Sequence, residues 1–171
     1  MIPKINKILY ATDLSQNSAY AFRYAVNSAE KHDAKIHILH VVEKLSSTAE
    51  SMVSVYISQE KIHEMRTESM EGLKNRIQKR LEAFWKRELL DKPEFQERVA
   101  SIQVVEGDPA AEILRKVDDL KADIVIMGTH GKGLLAHTFL GSVAEKVLHR
   151  IKIPVFIIPI PQEPDISLSD V

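Results

Sequence analysis

The chain has 171 residues, 44% of them hydrophobic and 27% charged, with a formal net charge of −1 and no cysteine. That length suits one domain with a sizeable core. The near-neutral charge supplies no basic field for nucleic acid, and the lack of cysteine excludes disulfides, thiolate metal sites and thiol nucleophiles. The opening MIPKINKILYATD lacks the apolar core of a signal peptide. No run approaches the roughly 20 apolar residues of a membrane span, so a soluble, cytoplasmic protein is expected.

Along the chain, short β-branched runs alternate with amphipathic segments. KILYA (7–11) reads as a buried strand, and Ser15 is placed to cap a helix running to about His32. Ala19, Phe22, Ala25, Val26 and Ala29 share one face of that helix. AKIHILHVV (34–42) and VASIQVV (99–105) read as the second and third strands. After Gly107, Asp108 is a natural N-cap and Pro109 suits the first position of a helix over 110–120. ADIVIM (122–127) is the fourth strand, followed by a helix over 142–150 and a last strand, IPVFIIP (153–159). Strands alternating with helices predict an α/β fold: a three-layer, Rossmann-like open sheet of five mainly parallel strands, covered on both faces.

Between the second and third strands lies an insert, about 44–98, whose first part (44–59) is serine-rich and without clear periodicity. From 60 to 91, Ile62, Met65, Leu73, Ile77, Leu81 and Phe84 recur at helical steps among charges of both signs. That pattern favours packing on the sheet over a membrane-surface role. Residues 1–160 are thus expected to form a single domain, with 161–171 a disordered tail.

MGTHGKGLLAHTFLGSVAEK (127–146) holds four of the six glycines, at the junction of the fourth strand and fourth helix. In open α/β sheets, ligands bind outside the carboxyl ends of the strands. A helix N-terminus there presents unpaired N–H groups to an anion. Lys132, His130 and His137 are candidate additional donors. A P-loop fails because Ile126 and Gly133 occupy positions that need glycine and Ser or Thr. The dinucleotide fingerprint matches through Gly131, Gly133 and Ala136, but in the fourth turn and with no acid to hold a ribose.

A third template fits at every position: glycine, two residues, glycine, nine residues, glycine, then Ser or Thr. It is met by Gly128, Gly131, Gly141 and Ser142. With KILYATDLS, HILHVVE, GDPAAEIL and IPVFII around it, the chain resembles the universal stress protein family, specifically its ATP-binding branch. Only the insert and the tail fall outside the likeness. The resemblance implies strand order 3-2-1-4-5 and an adenine nucleotide, ATP with Mg²⁺, at the switch between strands one and four. It implies that Ala11, Thr12 and Asp13 end the first strand beside adenine and ribose, and that Val41 meets the adenine edge. It sets Met127 and Gly128 at the ribose, and His130, Gly131, Gly141, Ser142 and Val143 around the phosphates, while Lys132, which by its charge could join them, suits a merely solvated position as well. It further implies a homodimer through the last strand, and at most slow ATP hydrolysis. Ala11 departs from the family's frequent proline, and Ala144 from a threonine found in some nucleotide binders.

Plainer readings compete for the same residues. Asp13 suits an Asx turn ahead of the Ser15 cap. Ser142-Val-Ala-Glu145 reads as a capping box, whose bonds would use the amides a phosphate needs. His37 and His40 stand three apart on a strand and so face opposite ways, which argues against a metal site. No serine–histidine–acid set or carboxylate pair emerges from spacing. The sequence therefore points to a nucleotide-binding regulator. Its rivals are a nucleotide-independent interaction module acting through the insert and, on the weak fingerprint, a nicotinamide oxidoreductase.

Overall fold

The computed structural model describes residues 2–43, 70–129 and 140–159. Among them run β1 (Lys7–Ala11), α1 (Gln16–His32), β2 (Lys35–Glu43), α2 (Met70–Glu88), a 3₁₀ turn (Pro93–Arg98), β3 (Val99–Gly107), α3 (Pro109–Leu120), β4 (Ile124–Gly128), α4 (Ser142–Leu148) and β5 (Val155–Ile158). The five strands form one sheet in the order β3-β2-β1-β4-β5, and every neighbouring pair is parallel. Ile62 and Met65 of the expected long helix, like the tail after 160, lie outside the described residues.

Alternation along the strands sends side chains into two cores. Ile8 and Tyr10, Ile36 and Ile38, and Ile124 and Ile126 pack with Phe22 of α1 and Leu81 of α2. Leu9, Leu39, Val125 and Met127 pack on the opposite face with Ile113 and Val117 of α3 and Val147 of α4. The sheet is therefore the middle of three layers, and its inner strands are apolar on both sides because both are covered.

The helices start where local chemistry satisfies their first amides. The Ser15 side chain accepts from the Ser18 amide at 3.3 Å, and Asp108 accepts from Ala111 at 2.9 Å with Pro109 opening α3. Asp33 and Lys121 end α1 and α3 in left-handed conformations, at φ 54° and 50°. The buried Tyr10 hydroxyl donates to the Ser18 carbonyl, tying β1 to the first turn of α1. Burial pushes that phenol well above its ordinary range.

Candidate functional site

β1 lies where the strand order reverses: the chain winds outward through β2 and β3, then crosses back to β4 beside β1. Adjacent strands connected in opposite directions leave a crevice at their carboxyl ends. A cleft of about 720 Å³ occupies that crevice. Ala11, Thr12 and Asp13 contribute from the end of β1, Val41 from β2, and Met127 and Gly128 from the end of β4. Gly141, Ser142 and Val143 contribute from the start of α4. These nine candidates, drawn from distant parts of the chain, line one cavity. His130, Gly131 and Lys132, with Gly133 and His137, lie outside the described residues.

One backbone bond holds the strand end against the helix start, and a second ties it to β5. The Gly141 amide donates to the Thr129 carbonyl at 2.7 Å, and the Thr129 amide donates to the Ile158 carbonyl at 3.0 Å. Gly128 and Gly141, on either side of the intervening segment, are thereby brought together.

The start of α4 departs from the capping-box expectation. Gly141 is the N-cap, with extended backbone (φ −73°, ψ 158°) and no side-chain capping bond, and Ser142 is the first helical residue. Exposed Ser142 is therefore not used as the cap. By helix geometry, the amides of Ser142, Val143 and Ala144 have no intrahelical acceptor.

The two carboxylate oxygens of Asp13 differ. Its Oδ1 accepts from the Ser15 amide at 3.0 Å, the Asx turn. Its Oδ2 is buried and has no hydrogen-bond partner. Leu14, next in the chain, has φ +63°, and its amide donates to Thr12 Oγ1 at 3.1 Å. A buried carboxylate oxygen without a donor costs free energy that a ligand N–H or O–H would recover.

The described lining is acidic, with Asp13, Glu43 and Glu145 and no Lys or Arg among its described residues. Among the described residues, the cleft therefore offers an anion backbone amides rather than Lys or Arg side chains. Among the described residues no three His, Cys, Asp or Glu side chains converge on a metal position. His37 and His40 sit apart: His37 Nδ1 meets Ser101 Oγ at 2.8 Å, while buried His40 reaches the Thr12 carbonyl with its Nδ1, also at 2.8 Å.

Sequence reasoning missed several lining residues. Ser18 reaches the cleft from the first turn of α1, Pro109 and Ile113 from the first two turns of α3, and Thr129 from just after β4. Ile77 comes from α2, inside the insert. Thr129 could have been inferred from its place between Gly128 and the loop. Nothing in a helical repeat says which of its apolar residues reaches a sheet edge.

A three-layer arrangement around an all-parallel sheet in the order β3-β2-β1-β4-β5, with a cleft at its switch point, defines an α/β protein of the Rossmann-like class. The chain belongs to the universal stress protein family, whose model matches residues 4–159. It is 32% identical over 164 residues to universal stress protein MJ0531 of Methanocaldococcus jannaschii, covering 92% of this chain and 84% of the relative. The solved structure of MJ0577 from the same organism superposes with a TM-score of 0.70 at 27% identity, covering 94% of this chain and all of that one. A universal stress protein family structure from Arabidopsis thaliana, with AMP bound, shares the fold at a TM-score of 0.56 and 19% identity, over 95% of this chain and 96% of that one. No helix among the described residues is long and apolar enough to cross a membrane.

Proposed function

We propose that this universal stress protein is a cytoplasmic regulator that binds an adenine nucleotide, ATP carrying Mg²⁺, in the cleft at the carboxyl ends of β1, β2 and β4. Occupancy of the cleft, with at most slow hydrolysis, would be the signal. The observation that carries the reading is the buried, unpartnered Oδ2 of Asp13 in the wall of a cavity large enough for a nucleotide. That oxygen would accept a ribose hydroxyl or base N–H, while Val41 and Met127 supply apolar contact. The amides at 142–144, with His130, Gly131 and Lys132, would meet the phosphates. AMP bound to the plant protein of the same fold supplies the ligand class to try first.

Magnesium characteristically keeps several waters and is held through substrate phosphates with one or two carboxylates. Isolated carboxylates around the cleft fit an ion that arrives on the triphosphate better than a dedicated protein site. When bound, it would neutralise phosphate charge that the acidic lining otherwise opposes.

The test is isothermal titration of purified protein with AMP and with Mg-ATP, alongside chromatography of small molecules released on denaturation. Stoichiometric binding and a co-purifying adenine nucleotide are expected. Absence of both would overturn the reading and favour the nucleotide-independent alternative. Dimerisation through the last strand (153–159) is part of the proposal. β5 is an edge strand, and its Phe156 is 43% exposed. Such an edge is a ready template for pairing. Phe156→Lys is expected to shift the mass measured by light scattering from dimer to monomer; an unchanged mass would sink that part.

A further inference from the structure

We propose that His40 is a positioning residue of the cleft: its Nδ1–H holds the Thr12 carbonyl, fixing the Thr12–Ser15 loop so that Asp13 keeps one carboxylate oxygen for a ligand. The proposal rests on the nucleotide reading of the cleft for its binding test and on loop geometry for an independent one. A carbonyl only accepts, so the 2.8 Å contact requires the proton on Nδ1 whatever the state of the other ring nitrogen. His40 is 6% exposed and Thr12 is 7% exposed, so loss of the donor leaves a largely buried carbonyl short of a partner.

The loop has reason to need an external hold. Leu14 adopts φ +63°, a conformation disfavoured for an L side chain. The bonds from Leu14 to Thr12 Oγ1 and from Ser15 to Asp13 Oδ1 are local to the loop and would travel with it. Thr12 N donates to Leu39 O at 3.0 Å, which anchors the beginning of the loop to β2. The imidazole of the next β2 residue pins the carbonyl of the same peptide segment, immediately before Asp13. Thr12 is thus gripped through both backbone groups by consecutive residues of β2, and Asp13 is the first residue beyond that grip.

Two polar variants separate this role from general packing. An asparagine side-chain amide places its N–H near the position of His Nδ1, whereas glutamine, one carbon longer, places it near Nε2. His40→Asn is expected to bind AMP within about three-fold of wild type, and His40→Gln about ten-fold more weakly. In an Asp13→Asn background His40→Gln should add no further loss. Equal affinities for the two variants, or a full additional loss in that background, would overturn the proposal. The readout independent of nucleotide is the unliganded crystal structure of each variant. The Asp13 carboxylate should superpose on its wild-type position in His40→Asn and be displaced, with the loop's local bonds intact, in His40→Gln. An undisplaced Asp13 in both refutes the positioning role, even if wild type binds no nucleotide and only the ligand reading has failed. If His40→Gln does not fold, His40→Asn decides alone: retained AMP affinity with no bond from the substituted side chain to the Thr12 carbonyl in the crystal would equally refute it.

Discussion

Replacing Asp13 by asparagine is expected to move stability and ligand affinity in opposite directions, because the two carboxylate oxygens have different duties. Oδ1 closes the turn to Ser15 at 3.0 Å, and asparagine retains an oxygen there. Oδ2 is buried with nothing to accept from. An unsatisfied buried polar group costs about 1–3 kcal/mol, and a charged one more. The amide that replaces it is itself unsatisfied but carries no charge, so a net gain of about 1 kcal/mol is reasonable. For a domain of this size that is a rise of about 2–4 °C in Tm. A hydrogen bond from a ligand donor to a carboxylate is worth about 1.5–3 kcal/mol, so the same substitution should weaken AMP binding by roughly 10- to 100-fold.

Asp13→Ala separates the two oxygens. It also removes the orphan but strips the Ser15 amide of its acceptor, so it should be about 1 kcal/mol less stable than the asparagine variant while binding equally poorly. Thermal unfolding of the unliganded proteins and isothermal titration with AMP measure both axes. An asparagine variant no more stable than wild type would refute the claim that Oδ2 is a stored cost. AMP affinity within about two-fold of wild type would refute its role toward the ligand.

Ser142→Ala should leave stability within about 0.5 kcal/mol of wild type, since Gly141 rather than Ser142 caps α4. Asp108→Ala, which removes a real cap on Ala111 at 2.9 Å and an ion pair to Lys146 at 3.7 Å, should cost about 1 kcal/mol. Equal losses from the two in urea unfolding would contradict this assignment. Gly107 has φ +156°, and an added Cβ would lie 2.9 Å from Glu112 Cγ. Gly107→Ala should therefore destabilise by about 1–3 kcal/mol, and adding Glu112→Ala should recover only the contact part; an unchanged Tm for the single variant would refute it. Partial burial, then the nearby Lys7 charge, hold the His37 imidazole below its ordinary 6.5. The unfolded chain then takes up the proton first, so this contribution to stability is whole above about pH 6.5 and is lost as pH falls through the lower folded value. His37→Asn should flatten the fall in urea midpoint between about pH 7 and about pH 5, and an unaltered slope would show that other groups set it.

The sheet order was legible because strands buried on both faces are nearly continuous apolar runs, and because the glycine spacing tied the chain to a family of known topology. The ends of the elements were less so. Strand 122–127 begins at Ile124, and the expected long helix is described from Met70 to Glu88, followed by a 3₁₀ turn led by Pro93. The misread cap at Ser142 has an identifiable cause. The pattern Ser142…Glu145 satisfies the capping-box rule, but the Gly141 amide is fixed on Thr129 and its carbonyl accepts from Glu145 at 3.0 Å. Contact with β4 therefore sets the helix start one residue earlier than local preference. Ile77 and His40 were invisible as site residues for the same reason, since one reaches the cleft from another layer and the other acts on a loop 28 residues away.

Asp13 and Ser142 show why a structural role and a ligand role need not compete. Read from sequence, each residue has one side chain and two candidate jobs. In the fold, one Asp13 oxygen closes the Asx turn and the other is left for the proposed ligand, because the turn needs a single oxygen and a carboxylate has two. Ser142 is relieved of the local job altogether by the residue before it. Strain falls in the same place: Leu14 is the one non-glycine residue among those described with positive φ that does not end a helix, and it adjoins Asp13. A disfavoured backbone conformation and an unsatisfied buried oxygen thus fall on consecutive residues. Both persist in a loop that β2 grips at Thr12, and the ligand that satisfies the oxygen would recover part of what the loop costs.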